Sequence, residues 1–448
     1  MIIKNSFYIK TYGCQMNFSD TEIVINILKK NKYKYIKNIN NSNIIIFNIC
    51  TIRSKIDVKI KNIIKNIKYI KNRIICIIGC ISFEMKNFFI NNEKINIIIS
   101  PDLYRKLPFL IKQFIYFKNK KIINFNFLKN ETYDNIYKYK RINKISAYIT
   151  ITRGCDNMCT FCIVPFTKGR EKSRNPKSIL KECKYLYDNN YKEIILLGQN
   201  VDSYFWYGKK DYKKNYFLYK KNNIIKFYNL LEIIAKKFPK LRIRFITSNP
   251  QDFSIKIIKI IKKYKNICRY LHLPFQSGSN KILKLMNRKY TKKKYIKLIK
   301  NIKKEIPDCA ISYDVIVGFP NETYKDHLKT INLIKKIKFH YGYTFIYSER
   351  LTTYAQKKYI DNVSLIEKNK RLNEIIFLQK KNSLYNMKKY INTFQRILIE
   401  GFSKKSKKYL YGRNSQNIIV IVKNIYKIGE LIKVYIYGCT STVLFALK

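Results

Sequence analysis

Between residues 147 and 348, six short runs rich in β-branched and aromatic residues alternate with amphipathic stretches of helical period. The runs read AYITITRG, EIILLGQ, RIRFITS, YLHLPF, AISYDVIVG and YGYTFIYS, and the helical patterns between them cover 176–189, 227–238, 252–264, 291–305 and 323–337. Strand–helix alternation implies a parallel sheet, because each return of the chain crosses over through a helix. Six such units suggest a partial or open (βα)6 barrel, with its chemistry at the C-terminal ends of the strands. A loop carrying Cys155, Cys159 and Cys162 follows the first run, Gly198-Gln199-Asn200 the second, Ser248-Asn249-Pro250 the third and Gly318-Phe319-Pro320 the fifth.

The first hundred residues repeat the alternation. SFYIKTYG, NIIIFNIC, RIICIIGC and INIIIS read as strands. A helix is expected from about Asp20, with Ser19 or Asp20 as its N-cap, and another over 54–71. The result is an N-terminal parallel α/β domain. Cys14, Cys50 and Cys80 each stand just past the C-terminal end of a strand, the edge at which open α/β sheets bind ligands. The competing reading is that they are buried small hydrophobes; Cys76, inside the apolar run of its strand, fits that reading well.

Residues 102–146 are basic and aromatic without a clear core pattern, and read as a connector. Residues 205–226 form a Lys/Tyr-rich insertion, either a solvated loop or a nucleic-acid contact. After a helical stretch over 363–389, TFQRILIEGF, NIIVIV, ELIKVYIYG and TSTVLFAL alternate apolar and polar residues with glycine in the turns. This predicts a small C-terminal antiparallel β-barrel. Lys404, Lys405, Lys407, Lys408 and Arg413 crowd its first loop and second strand, as RNA phosphate contacts or as the solvated face of a structural cap.

The 448 residues carry 91 Lys+Arg against 28 Asp+Glu, a net charge of +63. That balance favours an anionic partner, although Lys, Asn, Ile and Tyr, all with AT-rich codons, dominate throughout. No apolar run approaches the roughly 18 residues of a membrane helix, and Lys4 and Asn5 interrupt any signal-peptide core, so a cytoplasmic protein with no membrane partner is expected. Eleven cysteines in such a compartment argue for metal or redox chemistry rather than a disulfide framework.

Cys155, Cys159 and Cys162 stand in C-x3-C-x2-C spacing with no fourth Cys or His nearby. A zinc ion with three thiolates would keep an open position and need a general base, and only Glu171 lies close in sequence. The alternative is a 4Fe–4S cluster held at three irons, the fourth left open. The spacing, with Phe161 immediately before the third Cys, resembles the radical S-adenosylmethionine (radical SAM) signature. The resemblance implies that SAM chelates the open iron and is cleaved by one electron to a 5′-deoxyadenosyl radical. Phe161, Gly198, Gln199, Asn200, Ser248 and Arg350 are then the candidate cofactor contacts; no residue is assigned a catalytic role.

Over the whole chain the sequence resembles the methylthiotransferase family and, within it, the tRNA-modifying MiaB branch. The motifs are TYGCQMN at 11–17, NICTIR at 48–53, IGC at 78–80, TRGCDNMCTFCIVPFTKGREKSR at 152–174, LLGQNV at 196–201, DVIVGFPNET at 314–323, and EGFSKKS and GRNSQN in the tail. The resemblance implies three domains: 1–118 with a second 4Fe–4S cluster on Cys14, Cys50 and Cys80, 141–375 as the radical SAM core, and 384–448 as a TRAM RNA-binding barrel. It implies methylthiolation of carbon 2 of N6-isopentenyladenosine beside the tRNA anticodon, consuming two SAM molecules. It further implies a flavodoxin- or ferredoxin-like electron donor and a monomer; the sulfur donor is left open. The alternatives are methylthiolation of an aspartate of ribosomal protein S12, or a non-catalytic RNA-binding iron–sulfur protein. Two stretches depart from the family: Ser-Asn-Pro at 248–250 in place of Ser-His-Pro, and Leu351-Thr352-Thr353 in place of Pro-Gly-Thr. The second loses a rigid Pro and a permissive Gly.

Overall fold

The computed structural model describes residues 3–50, 54–67, 70, 73–117, 120–139, 141–208 and 224–447. Most of the 205–226 insertion and the last three residues of NICTIR lie outside them. Among the described residues no helix is long and apolar enough to cross a membrane.

The N-terminal part is one parallel sheet of β1 (Ile3–Tyr12), β2 (Lys34–Tyr35), β3 (Ser42–Cys50), β4 (Ile74–Cys80), β5 (Ile97–Ile99) and β6 (Ile122–Asn124), in the order β2-β1-β3-β4-β5-β6. Successive side chains of a strand point to opposite faces. Accordingly Ile44, Ile46, Cys76 and Ile78 enter one core while Ile45, Phe47, Ile75 and Ile77 enter another. Cores on both faces are what an all-parallel sheet requires.

Two expectations need correction here. Helix α1 runs Gln15–Lys30 with Cys14 at its N-cap, not from Ser19 or Asp20. Those two capping-type residues are buried inside the helix because the barrel claims their side chains: Ser19 Oγ lies 3.2 Å from Thr150 Oγ1 and Asp20 pairs with Arg153. Residues 102–146 are not without a core. A helix over Leu107–Tyr116 buries Leu107, Leu110, Ile111 and Phe114, and β6 pairs with β5, so the sheet runs past residue 118. Exposed Phe109, Ile115 and Tyr116 blur the helical period of that segment.

The six expected barrel strands are Ser146–Thr150, Glu193–Leu197, Arg242–Phe245, Tyr270–His272, Ala310–Val317 and Tyr341–Ile346. They form two parallel three-stranded sets joined by a bridge between Ile243 and Ile267. Among the described residues the first and sixth strands do not pair, so the barrel is open. Helices Pro176–Asp188, Phe227–Lys237, Ile255–Lys263, Lys292–Glu305 and Tyr324–Ile337 cover its outside. Ile311, Tyr313 and Val315 face them in the shared core, which turns Ser312 and Asp314 toward the interior.

Helix Leu365–Lys388 leads to a closed five-stranded barrel: Phe394–Phe402, Tyr409–Arg413, Ile419–Lys423, Leu431–Cys439 and Val443–Leu447. Its pairs are antiparallel except for the third and fifth strands, which run parallel. It docks through Arg242 and Arg244, whose guanidinium groups donate to the carbonyl oxygens of Arg413, Asn414 and Ser415.

Candidate active site

The two cysteine sets come together in one place. A cavity of about 560 Å³ is lined by Cys14 and Cys50 from the N-terminal sheet and by Cys155, Cys159 and Cys162 from the first barrel loop. Cys80 stands beside Cys50 in register at the ends of β3 and β4. The loop bearing Cys14 approaches so closely that a Cβ on Gly13 would stand 2.6 Å from the Cβ of Cys50. Glycine is therefore a steric requirement there.

Asn17, one turn into α1, ties this set together. Its amide donates to Asn48 Oδ1 at 3.0 Å and to the Ile49 carbonyl at 2.9 Å, and its oxygen lies 3.3 Å from Cys14 Sγ. Hydrogen bonding to Cys50 and burial raise the Cys14 pKa, whereas the hydrogen bond with Cys50 lowers that of Cys80. Lys168, from the FTKGRE stretch of the barrel, is 4% exposed, and its ammonium has no hydrogen-bond partner among the described residues. Burial alone would lower its pKa, but Cys80, Asp20 and Cys14 outweigh that and raise it. A permanent positive charge thus sits beside the first cysteine set. Sequence reasoning missed it, although its place six residues after Cys162 was a usable signal.

The second set is a turn held at both ends. Gly154 has φ +73°, and an added Cβ would lie 2.1 Å from the Arg170 carbonyl oxygen, so only glycine fits before Cys155. Cys155 N–H donates to the Gly169 carbonyl at 3.3 Å, and Cys162 N–H to that of Cys159 at 3.0 Å. Burial pushes the Cys155 thiol up to about 11 and Cys162 up to about 12, so iron must displace their protons on binding. Arg288 Nη1 donates to Cys159 Sγ at 3.3 Å, and its Nη2 to Asn249 Oδ1 at 3.1 Å. The unexpected Asn249 thus retains a structural task. Arg288 follows the short helix Asn280–Leu285 and carried no signal in the sequence.

Among the described residues no three His, Cys, Asp or Glu side chains converge on a single-ion site. In a 4Fe–4S cube each thiolate takes a different iron, so ligands are spread more widely than around one zinc. Three open thiols on one turn, with a cationic Arg288 on one of them, fit such a cube.

Phe161, Gly198, Gln199, Asn200 and Ser248 all line the cavity. Gln199 Oε1 and Asn200 Oδ1 are buried acceptors without a partner among the described residues, a cost that an ammonium or hydroxyl of a ligand would remove. Asn200 Nδ2 donates to Asp252 at 2.6 Å, and Ser248 Oγ to Asp202 at 3.2 Å. Burial raises the Asp202 carboxyl to about 8. Arg350 stands apart from these residues. It lies outside the cavity lining and 3.6 Å from Asp57 of the N-terminal domain, whose carboxyl burial raises to about 6.

The loop at 351–353 keeps its turn without glycine, as Thr352 adopts φ +76° and Thr353 caps the helix Tyr354–Lys358. Lys404 and Lys405 are exposed. Arg413, partly exposed, pairs with Glu400 at 3.1 Å at the edge of the docked barrel.

Residues 149–334 match the model of the radical SAM superfamily, and residues 6–100 match uncharacterized protein family UPF0004. A protein of Karelsulcia muelleri (strain GWSS) named tRNA-2-methylthio-N(6)-dimethylallyladenosine synthase is 53% identical over 99% of both chains. One of the same name from Christiangramia forsetii is 45% identical over 98% of this chain and 92% of that one. Among solved structures, the radical SAM methyltransferase TsrM from Kitasatospora setae has a similar fold, with a TM-score of 0.55 over 79% of this chain and 77% of that one at 10% identity.

Proposed function

We infer the chemistry of this chain from the family it belongs to, the tRNA-2-methylthio-N(6)-dimethylallyladenosine synthases: it is a radical SAM enzyme that methylthiolates carbon 2 of N6-dimethylallyladenosine in tRNA. Its cofactors are two 4Fe–4S clusters and S-adenosylmethionine. The observation that carries the residue assignments is the cavity lined by Cys14, Cys50, Cys155, Cys159 and Cys162, with Cys80 buried beside Cys50. We assign one cluster to Cys155, Cys159 and Cys162 and the other to Cys14, Cys50 and Cys80. When bound, these groups supply a one-electron reductant, a radical precursor and a site for sulfur.

The chain's own residues bind, orient and exclude water. The unpartnered oxygens of Gln199 and Asn200 receive donors of SAM, Ser248 and Phe161 complete that wall, and Arg288 fixes the cysteine loop. Placing the thiols in a cavity rather than on the open surface limits the access of solvent to a reactive radical. Lys404, Lys405 and Arg413 contact tRNA phosphates. The chain divides into 1–118 with the added strand Ile122–Asn124, a core of 141–375, and a TRAM barrel of 384–448. It works in the cytoplasm as a monomer, reduced by a flavodoxin- or ferredoxin-like protein.

Anaerobically reconstituted protein tests the assignment. Alanine at Cys155, Cys159 or Cys162 abolishes reductive SAM cleavage. Alanine at Cys14, Cys50 or Cys80 abolishes methylthiolation while 5′-deoxyadenosine is still released. Loss of cleavage in folded variants of the second set would overturn this division of labour. An iron count far below about eight per chain, the content of two 4Fe–4S clusters, would overturn the cofactor assignment.

A further inference from the structure

The cavity has a second wall that neither cysteine set uses. His272, Asp314, Tyr343 and Phe345, on the last three barrel strands, line it. A closed (βα)8 barrel fills its interior with packed side chains. Here Tyr343 is 49% exposed and Phe345 36%, so aromatic surface lies open to the cavity. Asp314 and Tyr343 are neighbours in register, and the Tyr343 ring meets His272 edge-on with centroids 5.9 Å apart. His272 is fixed from behind, its Nδ1 2.8 Å from Ser312 Oγ, which lies 2.8 Å from the Tyr270 hydroxyl. Its Nε2 stands 3.4 Å from the Asp314 carboxylate.

Exposed aromatic surface beside a fixed acceptor matches a flat, neutral heterocycle, since enzymes acting on a base extrude it, stack it and read its polar edge. We propose that Tyr343, Phe345, His272 and Asp314 form the subsite that receives the N6-prenylated adenine of the tRNA, a deepening that rests on the function above. Tyr343 and Phe345 cover the purine and its apolar prenyl chain. Asp314 accepts the one N6–H that prenylation leaves, with His272 holding the carboxylate in place. A base gripped at N6 keeps carbon 2, two bonds round the ring, clear of that wall. A carboxylate here repels an aspartyl side chain, so the wall disfavours a protein substrate modified at aspartate. Asn417 of the C-terminal barrel reaches the same cavity, which puts an RNA held on that barrel beside it.

The test uses the full-length reconstituted protein and anticodon stem-loop RNA with or without the dimethylallyl group, binding being read by fluorescence anisotropy. Wild-type protein prefers the prenylated hairpin. Tyr343→Leu weakens that complex about tenfold, the loss of one stacking platform, and weakens the unprenylated complex less. Phe345→Leu lowers the same preference. Iron content and thermal midpoint matching wild type establish that the variants are folded. Equal losses for both hairpins, no loss in either folded variant, or tighter binding of an S12 loop peptide than of RNA would overturn the subsite. If wild-type protein forms no methylthio product on the prenylated hairpin, the function itself fails. Product formation with unchanged Tyr343→Leu affinity removes the subsite alone.

Discussion

Asp20, on the helix that starts beside Cys14, is ion-paired with Arg153, two residues before Cys155, and both side chains are almost wholly buried. One carboxylate therefore links the two cysteine-bearing segments. Tyr104 donates to its other oxygen at 3.3 Å, and the Arg153 guanidinium lies over the Tyr133 ring at 4.6 Å. A second buried network runs from Glu22 of α1 through Arg141 to Glu182 and Arg174, so the domain interface is built on ion pairs.

Removing one partner of such a pair leaves an uncompensated buried charge, costing about 3–5 kcal/mol. Asp20→Ala is expected to lose about that much stability in chemical denaturation, with Asp20→Ala/Arg153→Met recovering part of it. No recovery in the double variant would show that Asp20 acts otherwise than through Arg153.

Lys168 places its charge beside Cys14 and Cys80. A cation stabilises the more negative, reduced state of a nearby cluster, since net charge sets its potential. Lys168→Met should leave the iron content intact while moving the midpoint potential of the N-terminal cluster to more negative values. A redox titration followed by electron paramagnetic resonance reads this directly; an unmoved potential would mean the charge is screened from the cluster.

Thr352 holds a left-handed backbone with a β-branched side chain, which costs an L-residue roughly 1–2 kcal/mol. Thr352→Gly is expected to raise stability by about 1 kcal/mol, seen as a higher thermal midpoint. A lower midpoint would indicate that the Thr side chain contributes more than its backbone costs.

Asp202 has its pKa raised to about 8 by burial, whereas the unfolded chain ionises it near 4. Between those values the native state binds more protons than the unfolded state, so this group makes stability fall as pH rises from about 4 to 8. Asp202→Asn should flatten that part of the profile of thermal midpoint against pH. An unchanged slope would assign the pH dependence to other groups.

Arg244 is 3% exposed, pairs with Glu193 at 2.8 Å and donates to the Asn414 carbonyl at 2.6 Å. Arg244→Met should loosen the C-terminal barrel without unfolding it, and limited proteolysis should then cut near the helix Leu365–Lys388 sooner than in wild type. Equal cutting rates would show that the other docking contacts suffice.

The sequence by itself determined the six barrel strands, their order with the helices and the chemistry of the cysteine loop. Those are local properties: alternation of period, thiol spacing and a glycine before each of Cys14, Cys80 and Cys155. It also placed Cys14, Cys50 and Cys80 on one rim, because each ends a strand of a single parallel sheet. Only the tertiary structure decided that this rim faces Cys155, Cys159 and Cys162 across one cavity. The residues that bring them together are remote in the chain: Asp20 and Arg153 are separated by 133 positions, and Arg288 reaches Cys159 across 129. Local propensity misled for the same reason. Ser19 and Asp20 look like helix caps, but ion pairing and burial against another domain outweighed the roughly 1 kcal/mol that a cap contributes.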